Sequence, residues 1–100
     1  MVSWSETARD DLRQIYNYIA DDSKYYAGEV IDTIIEKTEP LDAFPEIGRV
    51  VPELMNENIR EIFVYSYRII YEIYPDKNIS IQTIIHAKRD FNEAVNNKTS

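Results

Sequence analysis

The sequence predicts a single α+β domain over residues 1–100, ordered β-α-α-β-β-β, with a helical hairpin packed on one face of a small antiparallel sheet. Three features point there. Apolar residues recur at the helical period through residues 5–38, they alternate at the strand period through residues 59–85, and a stretch rich in breakers separates the two.

Residues 1–4 form a short apolar start, read as an edge strand. Ser5 is a good N-cap, and Glu6 puts negative charge on the first turn behind it. Ala8, Leu12, Ile15 and Ile19 then mark one helix face, with Asp10, Asp11, Arg13, Gln14 and Asn17 opposite. Asp21, Asp22 and Ser23 supply a stop and a second cap. Ala27, Val30, Ile31, Ile34, Ile35 and Thr38 resume the period, so two amphipathic helices form an antiparallel hairpin. Pro40 ends or kinks the second helix. Residues 44–58 carry Pro45, Gly48 and Pro52 and read as a loop. Residues 59–64, 67–74 and 79–85 are β-rich and are separated by Tyr65-Ser66 and by residues 75–78, which gives a three-stranded meander. Residues 87–95 suit a short final helix, and the last few residues should fray.

Composition narrows the chemistry. One hundred residues suffice for one core and are too few for two. The absence of cysteine excludes disulfides, thiolate metal sites and cysteine nucleophiles. His86 is the one histidine, which excludes a multi-histidine cage, so neither metal nor cofactor is expected. Two glycines leave no material for a Gly-rich phosphate loop. No apolar run approaches the roughly 20 residues of a membrane span. The start also lacks the basic and apolar regions of a signal peptide, so a cytoplasmic protein with no membrane partner is expected. The formal charge is −7. Residues 1–50 hold eleven acids and five bases, whereas residues 51–100 hold seven and six. The helical half is therefore acidic and the sheet half nearly balanced. That acidity argues against a chain whose main task is gripping bare nucleic acid.

A two-residue turn at Tyr65-Ser66 pairs Val64 with Tyr67, Ile62 with Ile69 and Arg60 with Tyr71. One face then carries Ile62, Val64, Ile69, Tyr71 and Ile73 toward the helices. The other carries Glu61, Phe63, Arg68, Ile70, Glu72 and Tyr74. Sending Ile79, Ile81, Thr83 and Ile85 to the core requires an odd loop or a bulge near Asn78. It pairs Ile85 with Ile69 and sets His86 beside Arg68 on the open face, with Ile84 beside Ile70. A face mixing Phe63, Ile70 and Ile84 with Arg68 and His86 either meets a partner or lies under a loop or the C-terminal segment.

Four segments, in order, resemble the RelE/ParE superfamily of toxins. They are Trp4-Ser5-x-x-Ala8-x-x-Asp11-Leu12-x-x-Ile15-x-x-Tyr18-Ile19, then Phe44-Pro45-x-x-Gly48-Arg49-x-x-Pro52-Glu53-Leu54 in the loop. Ile59-Arg60-Glu61-Ile62 followed by Tyr67-Arg68-Ile69-Ile70-Tyr71 resembles the central hairpin, and His86-x-x-Arg89-Asp90 the ending. The likeness is closer to the ParE-like, plasmid-stabilisation branch, and it implies the same β-α-α-β-β-β fold. It also implies a type II toxin, encoded beside a cognate antitoxin that neutralises it in a toxin–antitoxin hetero-oligomer. In one branch of that superfamily the target is mRNA on the ribosome; in the ParE branch it is DNA gyrase, a protein target.

Metal-independent RNA cleavage needs a base, a cation for the phosphorane and an acid for the leaving oxygen. The catalytic candidates are His86, the one imidazole and so the natural acid or base, with Arg68 and Arg89 as cations. The nuclease branch resembles a surface rich in Lys and Arg, with a basic residue after the central-strand Tyr; here that position is Glu72. The target-binding candidates are Arg49, Arg60, Phe63 and Ile70. Three of the candidates have a plainer role as well: Arg49 fixes the loop, Arg60 bonds a nearby carbonyl, and His86 packs at a strand end. The favoured expectation is a toxin that binds a protein target such as gyrase. The alternatives are a ribosome-dependent mRNA endoribonuclease and a family member that has lost toxicity.

Overall fold

The computed structural model describes residues 1–87. The expected final helix lies outside the described residues apart from Ala87, and so does Arg89. The element order is β1 (Val2–Trp4), α1 (Glu6–Ala20), α2 (Lys24–Thr38), β2 (Arg49–Val50), β3 (Ile59–Val64), β4 (Tyr67–Ile73) and β5 (Ile79–His86).

Ser5 joins the first strand to the first helix through three bonds. Its Oγ accepts the Ala8 N–H at 3.0 Å and donates to the Gln82 carbonyl at 2.8 Å. Its backbone N–H donates to the Ile81 carbonyl at 2.9 Å. The helix start is thereby capped and tied to β5 by one residue. Ser23 repeats the cap for α2, accepting the Tyr26 N–H at 3.1 Å. α2 stops at Thr38, and Pro40 opens a short 3-10 turn, Glu39–Leu41, because its ring cannot donate into the continuing helix. The hairpin buries Ala8, Val30 and Ile34 against Ile69, Tyr71, Ile73, Ile79, Ile81 and Ile84, with Leu12, Ile15 and Ile19 at the margin. Each such aliphatic side chain removed from water contributes about 1.5–3 kcal/mol before entropy is counted.

The sheet has five strands in the order β1-β5-β4-β3-β2. All neighbours are antiparallel except β1, which runs parallel to β5, so the sheet is mixed where an antiparallel one was expected. The β3–β4 register is the expected one, with Val64 opposite Tyr67, Ile62 opposite Ile69 and Arg60 opposite Tyr71.

The β4–β5 register differs from the expectation. Tyr71 faces Ile81 and Ile70 faces Thr83, which leaves Gln82 as an extra residue on β5. Such a bulge reverses the facing of everything beyond it. Ile79 and Ile81 enter the core as expected, but Ile84 follows them and Ile85 turns to the other face. His86 lies opposite Tyr67, not beside Arg68.

The face away from the helices is covered. Val51 packs on Ile70 and Ile85, with Ile59 at the edge, so Arg68 and Ile70 are buried rather than open, while Ile84 is buried on the helix side instead. A loop over that face was one of the two outcomes weighed, and it is the one found. Residues 44–58 also hold more order than a plain loop, with a 3-10 turn at Pro45–Ile47 and the short strand β2 on β3. Tyr71 organises this turn: its hydroxyl accepts the Gly48 N–H at 3.0 Å and donates to the Pro45 carbonyl at 2.7 Å. A Cβ on Gly48 would stand 2.6 Å from both the Glu61 carbonyl oxygen and the Tyr71 hydroxyl oxygen, so only glycine fits.

Candidate functional site

The covered face carries a ladder of alternating charges. Glu53, in the covering loop, accepts from Arg68 Nη1 and Nη2 at 2.9 Å each, a bidentate pair. Arg68 Nε donates to Glu61 Oε1 at 2.6 Å, and Arg49 Nε donates to Glu61 Oε2 at 2.6 Å. The guanidinium carbon of Arg49 then lies 5.0 Å from the centroid of the Phe63 ring, a cation–π stack. Strand geometry produces this order. Arg49 is the register partner of Glu61 across β2–β3, and Phe63 is the partner of Arg68 across β3–β4, so all four share one face.

The ladder is dry at its centre and wetter at both ends, where Glu53 is one-third exposed and Arg49 more so. The Glu61 side chain is fully buried and that of Arg68 is 8% exposed, whereas that of Arg49 is 58% exposed. The two hydrogen bonds from Arg68 hold the Glu53 carboxyl below the usual glutamate range against the opposing effect of burial. The same pair raises Arg68 further above its already high value, with desolvation opposing and Glu61 assisting.

The sequence-derived candidates separate in space. Arg49 and Phe63 come together at the exposed end of the ladder, and Phe63 is half exposed. Arg68 is held between two carboxylates. Ile70 lies beneath Val51. Arg60 turns to the loop, where its Nε donates to the Glu57 carbonyl at 2.9 Å and its Nη1 to the Gly48 carbonyl at 3.0 Å. His86 is exposed and meets Tyr67 edge-on, with ring centroids 5.6 Å apart. Since Tyr67 and Arg68 are successive residues of β4, His86 and Arg68 project from opposite faces. Glu53 and Glu61 were missed as members of the site. The signal was the register itself, because Glu61 shares its face with Phe63 and Arg68.

Among the described residues no group of acidic or histidine side chains is arranged to hold a metal ion. No described helix is long and apolar enough to cross a membrane.

The helical hairpin on a mixed five-stranded sheet is a fold shared with solved structures of toxin–antitoxin systems. It superposes on the chromosomal ParDE toxin–antitoxin system of Pseudomonas aeruginosa with a TM-score of 0.72, at 21% identity, covering 87% of this chain and 95% of that one. It also matches the RelBE2 toxin–antitoxin complex of Mycobacterium tuberculosis, with a TM-score of 0.60 at 19% identity over 86% of this chain and 95% of that one. A mutant of the Escherichia coli toxin RelE, in complex with an antitoxin RelBc peptide, matches with a TM-score of 0.62 at 13% identity, covering 100% and 93%. These likenesses establish the fold. Among curated protein sequences, none matches significantly. The family model for the ParE toxin of the type II toxin–antitoxin system parDE matches residues 2–91, and the chain belongs to that family.

Proposed function

We propose that this toxin acts by binding a protein target such as DNA gyrase and is neutralised by a cognate antitoxin in a hetero-oligomer. The observation that supports a protein target over RNA cleavage is the setting of Arg68 and His86. Cleavage at a single phosphate needs base and cation to converge on it. Here the cation is neutralised by Glu53 and Glu61, and the imidazole projects from the opposite face. The acidic balance of the whole chain, −7, works in the same direction. Antitoxin binding is supported by the family and by the helical surface. Tyr18 and Tyr25 are nearly four-fifths exposed there, beside exposed Asp21, Asp22 and Glu29. Such a surface suits a basic segment with apolar side chains.

Gyrase supercoiling with purified toxin tests the target, and inhibition that is relieved by adding the product of a neighbouring antitoxin-like reading frame is the expected result. Codon-phased mRNA cuts in primer extension after induction, abolished by His86→Ala, would instead establish the endoribonuclease. Normal growth after induction without a partner would identify a family member that has lost toxicity.

A further inference from the structure

We infer that Arg49, held by Glu61 and stacked on Phe63, is a preorganised receptor for one carboxylate of a protein partner, an acidic side chain flanked by apolar residues. The inference rests on the reading that this end of the sheet meets a protein, and it names the chemistry of the contact. The Nε–H of Arg49 is spent on a carboxylate that is fully buried, and its guanidinium carbon is 5.0 Å from the Phe63 centroid. Those two contacts restrain the rotation that an exposed arginine otherwise loses on binding. Nη1 and Nη2 have no partner among the described residues, and the side chain is 58% exposed. Two adjacent N–H donors in a fixed plane match the two oxygens of a carboxylate.

Carboxylate fits better than a nucleic-acid backbone for two reasons. One face of Phe63 is occupied by the guanidinium, which leaves at most the other face for stacking on a base. The neighbouring groups are Glu61 and Glu53, whose charges offset those of Arg68 and Arg49, so the cluster has no net positive charge to hold the successive phosphates of a strand. A single carboxylate can instead be met by the two Nη donors of Arg49 that Glu61 leaves unused. Phe63 and Tyr65, both about half exposed at the same end of the β3–β4 hairpin, supply the apolar surface for the flanking residues. Tyr65 holds a left-handed backbone conformation, φ 54°, which places its side chain at the hairpin tip at an energetic cost.

The test selects a random peptide library on immobilised wild-type toxin and on Arg49→Gln, with neither gyrase nor antitoxin present. Peptides carrying Asp or Glu beside Leu or Phe should be enriched by the wild type alone. An enriched peptide, synthesised with blocked ends, should bind Arg49→Gln roughly ten- to a hundredfold more weakly. Arg49→Lys, which keeps a charge near Glu61, should lose about tenfold because the fork is gone. Phe63→Leu should also weaken the peptide while leaving the thermal melt intact. Failure to enrich acidic peptides, or equal binding by Arg49→Gln in a protein that melts normally, overturns the inference. A labelled single-stranded RNA that binds wild type and is lost in Arg49→Gln overturns it in favour of phosphate. Failure of gyrase inhibition, by contrast, sinks the proposed target and leaves this result untouched.

Discussion

Glu61 has no water to fall back on: its side chain is fully buried, and each oxygen accepts from a different arginine. Replacing it by Gln removes the central charge of the ladder and leaves Arg68 with Glu53 alone. Breaking a buried pair from one side costs about 3–5 kcal/mol, and a shortfall of that order is expected for Glu61→Gln in urea denaturation. Glu53 sits at the partly exposed end, and its effect appears in the pH dependence. Its carboxyl is held below the ordinary value of 4.5 by the hydrogen bonds from Arg68. The folded state therefore binds this proton less readily than the unfolded chain does. The stability it provides is present above the ordinary value and disappears as pH falls through the depressed folded value. Glu53→Gln should flatten the stability profile in that acid window, as read by melts at successive pH. Tyr71→Phe belongs to the same scale. It strips the partner from the Gly48 N–H and the Pro45 carbonyl, and a loss of about 1–3 kcal/mol is expected from denaturant midpoints.

β5 is the element whose behaviour depends most on a single feature, the extra residue Gln82. β1 pairs with β5 only as far as Ile81, so the strand edge beyond is left without a neighbouring strand. Asp11 on α1 closes it: Oδ2 accepts from the Ile84 N–H and from the Thr83 hydroxyl, each at 2.8 Å. Asp11→Ala should cost about 1–3 kcal/mol, because two buried donors lose their acceptor, and should raise hydrogen exchange at the Ile84 amide. The helices and the β3–β4 hairpin were legible in the sequence because caps, periodicity and a two-residue turn all constrain them locally. The bulge was obscured because Ile84 and Ile85 both offer an apolar side chain, so simple alternation could choose the wrong one. The spacing Ile79, Ile81, Ile84 contained the answer, two then three residues. β2 is two residues long and gives no periodic signal, so its pairing with β3 could not be read. With that pairing went the contact of Arg49 with Glu61. Arg49 and Phe63 were therefore recognisable as candidates one by one, but their joint arrangement was not.

At the scale of the molecule, the acidic balance belongs to one side. Asp21, Asp22, Glu29, Asp32 and Glu36 are exposed along the helical hairpin, and the arginines of the sheet are spent on Glu53, Glu61 and loop carbonyls. The acidic charge is accordingly concentrated over the helices, and at the sheet end the exposed Arg49 is balanced by Glu61. A cognate antitoxin approaching the helices with a basic segment would be steered by the field of that charge, and steering acts on the encounter more than on the final packing. Raising ionic strength shortens the reach of the field from about 10 Å at 0.1 M to roughly 3 Å at 1 M. The association rate of toxin and antitoxin should fall by at least about tenfold across that range, while dissociation changes far less because buried contacts are poorly screened. Stopped-flow mixing at several salt concentrations measures both rates. Converting Asp21, Asp22 and Glu29 to their amides should flatten the salt dependence of association without lowering the thermal melt. A salt-independent association rate in the wild type would show that the charge of the helical half is only solvated surface, with no part in partner capture.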